Sequence, residues 1–297
     1  MTTLSKKIDF AVIVTVQHAN PNGDPLNGNR PRVTYEGFGE MSDVSIKRKI
    51  RNRLQEMGHK VFVQSDDNRV DDYGSLRERA EGTLKGVNMS DKKKFQEAAC
   101  KTWLDVRAFG QVFAFKAKKG KKSEGEEDSE GVSIPVRGPV SIHSAFSVAP
   151  VLDRSSSIQI TKSVSGETGE KDKRGSDTMG MKHRVDHGVY VFYGSMNPQL
   201  ADKTKFSDED AQAIKGALRT LFVNDESSAR PAGSMTVHKV YWWEHNSKNG
   251  QYSSAQVHRL LKVKVKKGVE GPNDIEEHYD IELGELPDLK CEVIDGE

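Results

Sequence analysis

The chain has 297 residues, with 45 lysines and arginines against 44 aspartates and glutamates, a formal net charge of +1, and 35% hydrophobic and 30% charged content. That length supports a sizeable core in one elaborated domain or two smaller ones, and the composition describes a soluble chain with much exposed or partner-facing surface. No stretch approaches the roughly 18 apolar residues of a membrane span and the N-terminus lacks a secretory core, so the expected location is the cytoplasm; Cys100 and Cys291, far apart, point to neither a disulfide framework nor a zinc site.

Ile8, Phe10, Val12, Val14 and Val16 alternate with Asp9, Ala11, Ile13, Thr15 and Gln17, which predicts a strand with one buried face. His18 to Arg30 follow as HANPNGDPLNGNR, a long polar loop rich in residues that favour tight turns and leave backbone N–H groups free. Its amides, Asn20, Asn22, Arg30 and Arg32 form a candidate phosphate and sugar cradle. SDVSIKRKIRNR, from Ser42 to Arg53, predicts a helix with Ser42 as N-cap, Asp43 at the positive end of the dipole and Gly58 ending it after Met57. Ile46, Ile50, Leu54 and Met57 should face the core, leaving Lys47, Arg48 and Arg51 on one outward flank. Five positive charges follow Asp43 without an acid in this segment, a local asymmetry that points to a polyanion. The bland alternative is a solvated amphipathic face.

Residues 60–64, KVFVQ, read as a second strand, and residues 66–107 as an inserted helical lobe with Ser90 as an N-cap and Phe95, Ala99 and Trp103 on one face. Strands are expected at 106–115 and 140–148. Between them KAKKGKKSEGEEDSEG, residues 116–131, sets five lysines before five acids with no apolar anchor and is expected to be a mobile loop. Residues 150–184 are irregular and rich in Ser, Gly, Lys and Arg, opening with Ser157 to Thr161 as one arm of a hairpin. A strand over 187–196, a helix capped by Ser207 and Asp210 with Ile214, Leu218, Leu221 and Phe222 on its apolar face, and a strand over 235–244 make a second strand, helix, strand unit. Two such units interrupted by insertions match an α+β, ferredoxin-like plan. Late strands at 259–266 and 279–283 would extend the sheet. The aromatic Lys/Arg-Gly motif by which many such folds stack RNA bases is absent; Phe109 and Phe113, its nearest approach, are at least as well explained as core, so RNA contact should come from loops and insertions.

Several blocks together carry a resemblance: Asn20-Pro21-Asn22-Gly23-Asp24-Pro25; Gly37-Phe38-Gly39 leading into the Ser42 to Asn52 helix; Asp105 to Phe113, DVRAFGQVF; and Asp177 to Val185, DTMGMKHRV. In this order, over most of the chain, they resemble the backbone subunit of CRISPR surveillance complexes, the Cas-seven family, in its type I-C Cascade version; the type I-B subunit is similar in the first half. The resemblance implies a ferredoxin-like (RRM-like) palm from residues 1–65, 106–149 and 185–297, a helical finger insertion at 66–105 and a projecting thumb at 150–184. It further implies an antiviral ribonucleoprotein in which copies assemble head to tail along CRISPR RNA, with target DNA in the R-loop, a Cas-five-type 5′ cap, a large subunit and small subunits as partners, and no cofactor. Arg107, Gln111, Lys162, Arg174, Met179, Lys182, His183, Arg184 and Arg230 join Asn20, Asn22, Arg30, Lys47, Arg48 and Arg51 as candidate RNA contacts.

Each has an ordinary alternative. Met179 among cations suits a wedge beside an unstacked base, or a buried core position. His183 and His187 have metal-compatible spacing only on a helix, which the strand-like sequence opposes. Arg230-Pro231-Ala232-Gly233 is a turn or a nucleic-acid contact. The rival function is a metal-dependent endoribonuclease using Asp24, whose position between Gly23 and Pro25 is equally that of a turn former without a second carboxylate.

Overall fold

The structure, a computed structural model, describes residues 2–88, 91–115, 132–151, 157–162 and 179–297. The expected charged loop at 116–131, the proposed cap Ser90 and the thumb residues 163–178 with Arg174 lie outside them.

Strand β1 runs Ile8–Ala19. The expected long loop after it is a small hairpin, β2 (Gly23–Asp24) and β3 (Arg30–Pro31), joined by a 3-10 turn at Pro25–Asn27 that the Asp24 carboxylate caps at Leu26 N. Then come β4 (Phe38–Met41) and α1 (Asp43–Glu56), capped by Ser42 as the sequence indicates. Gly58, at φ 88°, ends α1 with its N–H donating to the Gln55 carbonyl at 3.0 Å. Ile46, Ile50 and Leu54 are buried, each worth roughly 1.5–3 kcal/mol, whereas Met57 is 40% exposed and leaves the core stripe.

Residues 60–64 are not a strand. The Phe62 and Val63 N–H groups donate to the Asp105 carboxylate at 2.7 and 3.1 Å, so a side chain does what a neighbouring strand would. Helices α2 (Leu76–Thr83), α3 (Lys92–Thr102) and α4 (Leu104–Phe109) follow, with Asp91 rather than Ser90 capping α3. The strand expected from Val106 begins at Gly110, as β5 (Gly110–Phe115), because Val106 to Phe109 complete α4. It pairs with β6 (Val132–Arg137) in a separate two-stranded sheet. Phe113 and Ile134 from that sheet pack with Phe62, Phe95, Ala99 and Trp103, giving this lobe its own core.

Instead of one strand at 140–148 there are two, β7 (Val140–Ile142) and β8 (Ala145–Pro150). β9 (Ser157–Lys162) pairs antiparallel with the first part of β10, which at Met179–Met196 is far longer than its expected 187–196. Helices α5 (Pro198–Thr204) and α6 (Asp208–Arg219) lead to β11 (Met235–Glu244); the Ser207/Asp210 capping box is present. The chain ends through α7 (Ser254–His258), β12 (Leu261–Val265), α8 (Ile275–His278), β13 (Tyr279–Leu283) and β14 (Cys291–Asp295).

The main sheet is antiparallel, in the order β14, β11, β1, β10, β8, β4. β12 and β13 do not extend it; they pair with each other, and it is β14 that adds an edge strand beside β11. This placement explains why β1 is buried on both faces rather than one. Phe10, Val12, Val14 and Val16 meet α1 and α6 through Ile46, Ile50, Ile214 and Leu218. Ala11 and Ile13 meet Tyr241, Trp243, Leu261 and Tyr279 under the β12–β13 lobe. Phe10 stacks on Trp242 at 5.7 Å on the helical face, and Tyr241 on Trp243 at 6.3 Å on the other. Asp9 is tolerated on that second face because the His245 ring and the Lys7 ammonium approach it at 2.9 and 3.1 Å.

Candidate nucleic-acid interface

The charge run on α1 is the strongest sequence signal for a polyanion, and its side chains turn inward. Lys47 pairs with Asp43 one turn back at 2.9 Å. Arg48 Nη1 donates to the Val63 carbonyl at 2.7 Å, and Arg51 Nε to Asp105 at 2.9 Å, with the Arg51 guanidinium 5.1 Å above the Phe109 ring. Lys49 pairs with Asp225 and Arg53 with Glu56. The acids absent from the segment arrive from residues 105 and 225, so the outward flank of Lys47, Arg48 and Arg51 reduces to Lys47, a quarter exposed. Burial holds the Lys49 ammonium down to about 8 despite Asp225 beside it. Arg51 and Asp105 are 13% and 1% exposed; with the Phe62 and Val63 amides they join α1 to the helical lobe.

Three other candidates, Arg107, Asn22 and Arg230, hold the fold in the same manner. Arg107 makes a two-pronged contact with Asp210 at 2.7 and 2.6 Å, so the acid that completes the α6 capping box also clamps α4. Asn22 Oδ1 accepts from Ser42 N and Ser42 Oγ at 2.9 and 3.0 Å, tying the hairpin to the start of α1. Arg230 Nε donates to Asp225 at 3.0 Å, and Gln111 to the carbonyl of Val112 at 3.1 Å. Lys162 and Met179 face each other in the β9–β10 register. His183 and His187 lie on β10, without the helical spacing a shared metal needs, and among the described residues no group of three or more His, Cys, Asp or Glu is arranged to hold one.

The remaining candidates converge where β1 ends. The β1–β10 ladder closes at Ala19 and Val185, and His18 there adopts a left-handed conformation, φ 51°, which turns the chain into the hairpin. The Asn20 N–H donates to the Ala229 carbonyl at 2.9 Å and Asn20 Nδ2 to the Asn29 carbonyl at 2.7 Å. These bonds draw the β2–β3 hairpin, the start of β10 and the turn at 227–230 around a cleft of about 220 Å³ lined by His18, Asn20, Asn29, Lys182, His183, Arg184, Ser228, Ala229 and Pro231. Lys182 is exposed and, among the described residues, bonds the Ser228 carbonyl at 3.2 Å. Arg184 is 41% exposed, on Asp186 at 3.0 Å, and Arg30 is exposed with no acid within 4 Å among the described residues. Burial, with the Arg30 charge beside it, lowers the His183 ring below the usual imidazole range, so it is neutral at pH 7. A basic rim around a recess with amide and imidazole atoms suits a phosphate and sugar chain. Asn20, Arg30, Lys182, His183 and Arg184 are thus brought together, whereas Asn22, Arg48, Arg51, Arg107 and Arg230 serve internal joints. His18, Asn29 and Ser228 were missed, because they enter through a backbone turn and a distant loop.

The family model for CRISPR-associated protein Cas7 matches residues 6–284. A CRISPR-associated protein Cas7 of Haloferax volcanii is 28% identical over 237 residues, 78% of this chain and 68% of that protein. Among solved structures, a chain of a CRISPR RNA-guided surveillance complex in a pre-nicking form aligns with 80% of this chain and 78% of its own at 17% identity and a TM-score of 0.45. A second, from a CRISPR RNA-guided surveillance complex, aligns with 80% of this chain and 68% of its own at 17% identity and a TM-score of 0.39.

Proposed function

Because the chain belongs to the CRISPR-associated protein Cas7 family, we propose that it is a non-catalytic backbone subunit of a Cascade-like surveillance complex, binding guide RNA by its sugar–phosphate chain. The single observation that carries this reading is the cleft at the end of β1, where Lys182 and Arg184 line a recess built from three distant segments and the Arg30 charge acts on His183 in its wall. A scaffold that accepts any guide sequence must hold phosphates and ribose and leave base edges free, and this rim offers charges and amides without a base-reading fork.

In this reading the strands β11, β1, β10 from residue 185 onward, and β8, in that order, with α1 and α6 on one face, form a ferredoxin-like palm. Residues 66–105, with Phe95 and Trp103, are the finger, and residues 150–184, with β9 and the start of β10, are the thumb. Copies stack head to tail along the guide, the near-neutral total charge easing their contact, and target DNA pairs with the exposed bases. Of the subtypes, I-C is the one favoured by the sequence blocks. The cap, large and small subunits of such complexes are the expected protein partners.

The ribonuclease alternative has less support, since the Asp24 carboxylate accepts from Leu26 N at 3.1 Å and lies 3.6 Å from Arg32, the work of a turn cap. Purified with its partners from its host, the protein should carry RNA of uniform length, and the complex should leave complementary RNA and DNA uncut with Mg²⁺ or Mn²⁺ present. Cleavage that disappears in Asp24→Ala would transfer the function to the enzyme, and co-purification without RNA would remove the scaffold reading.

A further inference from the structure

Among the described residues, two polar atoms at the cleft stand without a hydrogen-bond partner, although the residues that carry them are almost wholly buried. Asn20 is 3% exposed and its Oδ1 is unpartnered; His183 is 6% exposed and its Nδ1 is unpartnered. Both residues line the same 220 Å³ recess, and they sit one or two steps beyond the last β1–β10 pair, Ala19 with Val185. An orphaned buried polar atom in a native fold needs a reason, and an absent ligand is one.

The chemistry of that ligand follows from the orientation of the Asn20 amide. Its Nδ2 donates to the Asn29 carbonyl at 2.7 Å, and a flipped amide would set two oxygens against each other, so the free atom is an acceptor. It requires a donor. The sugar–phosphate chain of DNA has none, whereas that of RNA has one, the 2′-hydroxyl. His183, neutral at pH 7, offers one ring nitrogen as donor and one as acceptor, so it can complete the hydroxyl's second bond. The volume allows it: pockets for drug-sized ligands run to about 300–1,000 Å³, and this smaller recess, of about 220 Å³, has room for a sugar.

We propose that this cleft takes one ribose of single-stranded RNA and reads its 2′-hydroxyl through Asn20 Oδ1 and the His183 ring, so that the protein selects RNA over DNA by the sugar. This rests on the RNA-scaffold reading above and adds a selectivity that phosphate contacts cannot supply. Lys182 acts as the closure. Its ammonium bonds the Ser228 carbonyl at 3.2 Å, and a phosphate, the stronger acceptor, draws it away as the neighbouring sugar enters.

The test compares three oligonucleotides of one unstructured sequence, RNA, DNA and 2′-deoxy-2′-fluoro RNA, binding the full-length protein at a single salt concentration. The fluoro chain keeps an RNA-like sugar pucker, lacks the donor, and carries a fluorine that is a poor acceptor. Loss of the hydroxyl's bonds predicts RNA tighter than the fluoro chain by at least roughly three- to ten-fold per engaged copy, with DNA no tighter than the fluoro chain. Asn20→Ala should narrow the preference for RNA and leave the salt dependence unchanged. If that variant does not fold, the three chains on the unaltered protein decide alone. Equal affinity of the unaltered protein for RNA and fluoro chain, or an Asn20→Ala protein that keeps the full preference, overturns the sugar reading and leaves the scaffold standing. Failure to bind any of the three at low salt overturns both.

Discussion

Helix α1 and the cleft at the end of β1 are both basic, and they use their charge in opposite ways. On α1 the cations lie within seven residues of one another, and Lys49, Arg51 and Arg53 each meet an acid, two of those acids lying more than fifty residues away. At the cleft Arg30, Lys182 and Arg184 are scattered over more than 150 residues, and among the described residues only Arg184 is paired with a carboxylate. Local charge density therefore marks a joint in the first case, and spatial charge density marks a surface in the second. A counterion supplied from elsewhere in the chain removes a cation from solvent electrostatics, because the pair is screened and desolvated together.

The comparison breaks most decisively at Asp105. This carboxylate is buried and accepts from Arg51 Nε and from the Phe62 and Val63 amides. Asp105→Ala leaves a buried guanidinium and two amides unmatched, which predicts a loss of about 3–5 kcal/mol. At this chain length that is a fall in Tm of roughly 6 °C or more by thermal denaturation. RNA affinity of the protein that stays folded should not change. A stable Asp105→Ala protein that binds RNA more weakly would make α1 a binding helix after all.

The reciprocal experiment replaces Arg30, Lys182 and Arg184 together with alanine. These side chains are at least partly exposed and anchor little of the core, so Tm should move by no more than a few degrees. RNA affinity should fall about equally for unrelated sequences, and the slope of log affinity against log salt should flatten by up to about three units. An unchanged slope measured by filter binding would empty the cleft of its role.

Sequence made β11, β13, α1 and α6 legible because their caps and periodicities are local: Ser42, and Ser207 with Asp210, sit where their own helices require them. Residues 60–64 misled for the opposite reason. Val61 and Phe62 are buried as a strand's would be, but the acceptor for the Phe62 and Val63 N–H groups is Asp105, more than forty residues away. β12 likewise has a strand's alternation, and nothing in Leu261, Val263 and Val265 tells whether β13 or the main sheet receives it. Of the cleft, Asn20, Lys182, His183 and Arg184 were readable from their blocks, while His18 and Ser228 depend on a left-handed turn and a loop that no local pattern encodes.

Lys49 sharpens the contrast through pH. Its ammonium titrates at about 8 in the folded protein and near its ordinary value of 10.5 when unfolded, because burial disfavours the charge. Between those values the unfolded chain binds more protons than the folded one, so this group makes stability rise with pH across that window. Below about pH 8 both states are protonated and the burial cost is fully present. In Lys49→Met, Asp225 keeps Arg230 as a partner, and the rise should be missing. The expected difference in slope accumulates to the order of 2 kcal/mol between pH 8 and 10.5 in denaturant titrations; parallel curves for the two proteins would show that Lys49 is not held in a costly site.

The smallest effect belongs to Lys47, and it decides on which side of the comparison the last cation of α1 falls. Its pair with Asp43 is an i,i+4 contact with both groups partly in water, worth about 0.3–0.5 kcal/mol. Lys47→Ala should therefore shift Tm by a degree or two at most, since alanine is also the better helix former. If α1 is only a joint, RNA affinity and its salt slope stay as they are. If the ammonium leaves Asp43 for a phosphate, the slope flattens by about one unit, and the loss should add to that of the cleft triple variant, because the two sites share no partner. An additive single unit extends the RNA path from the cleft onto the α1 surface; no change confines it to the end of β1 and the start of β10.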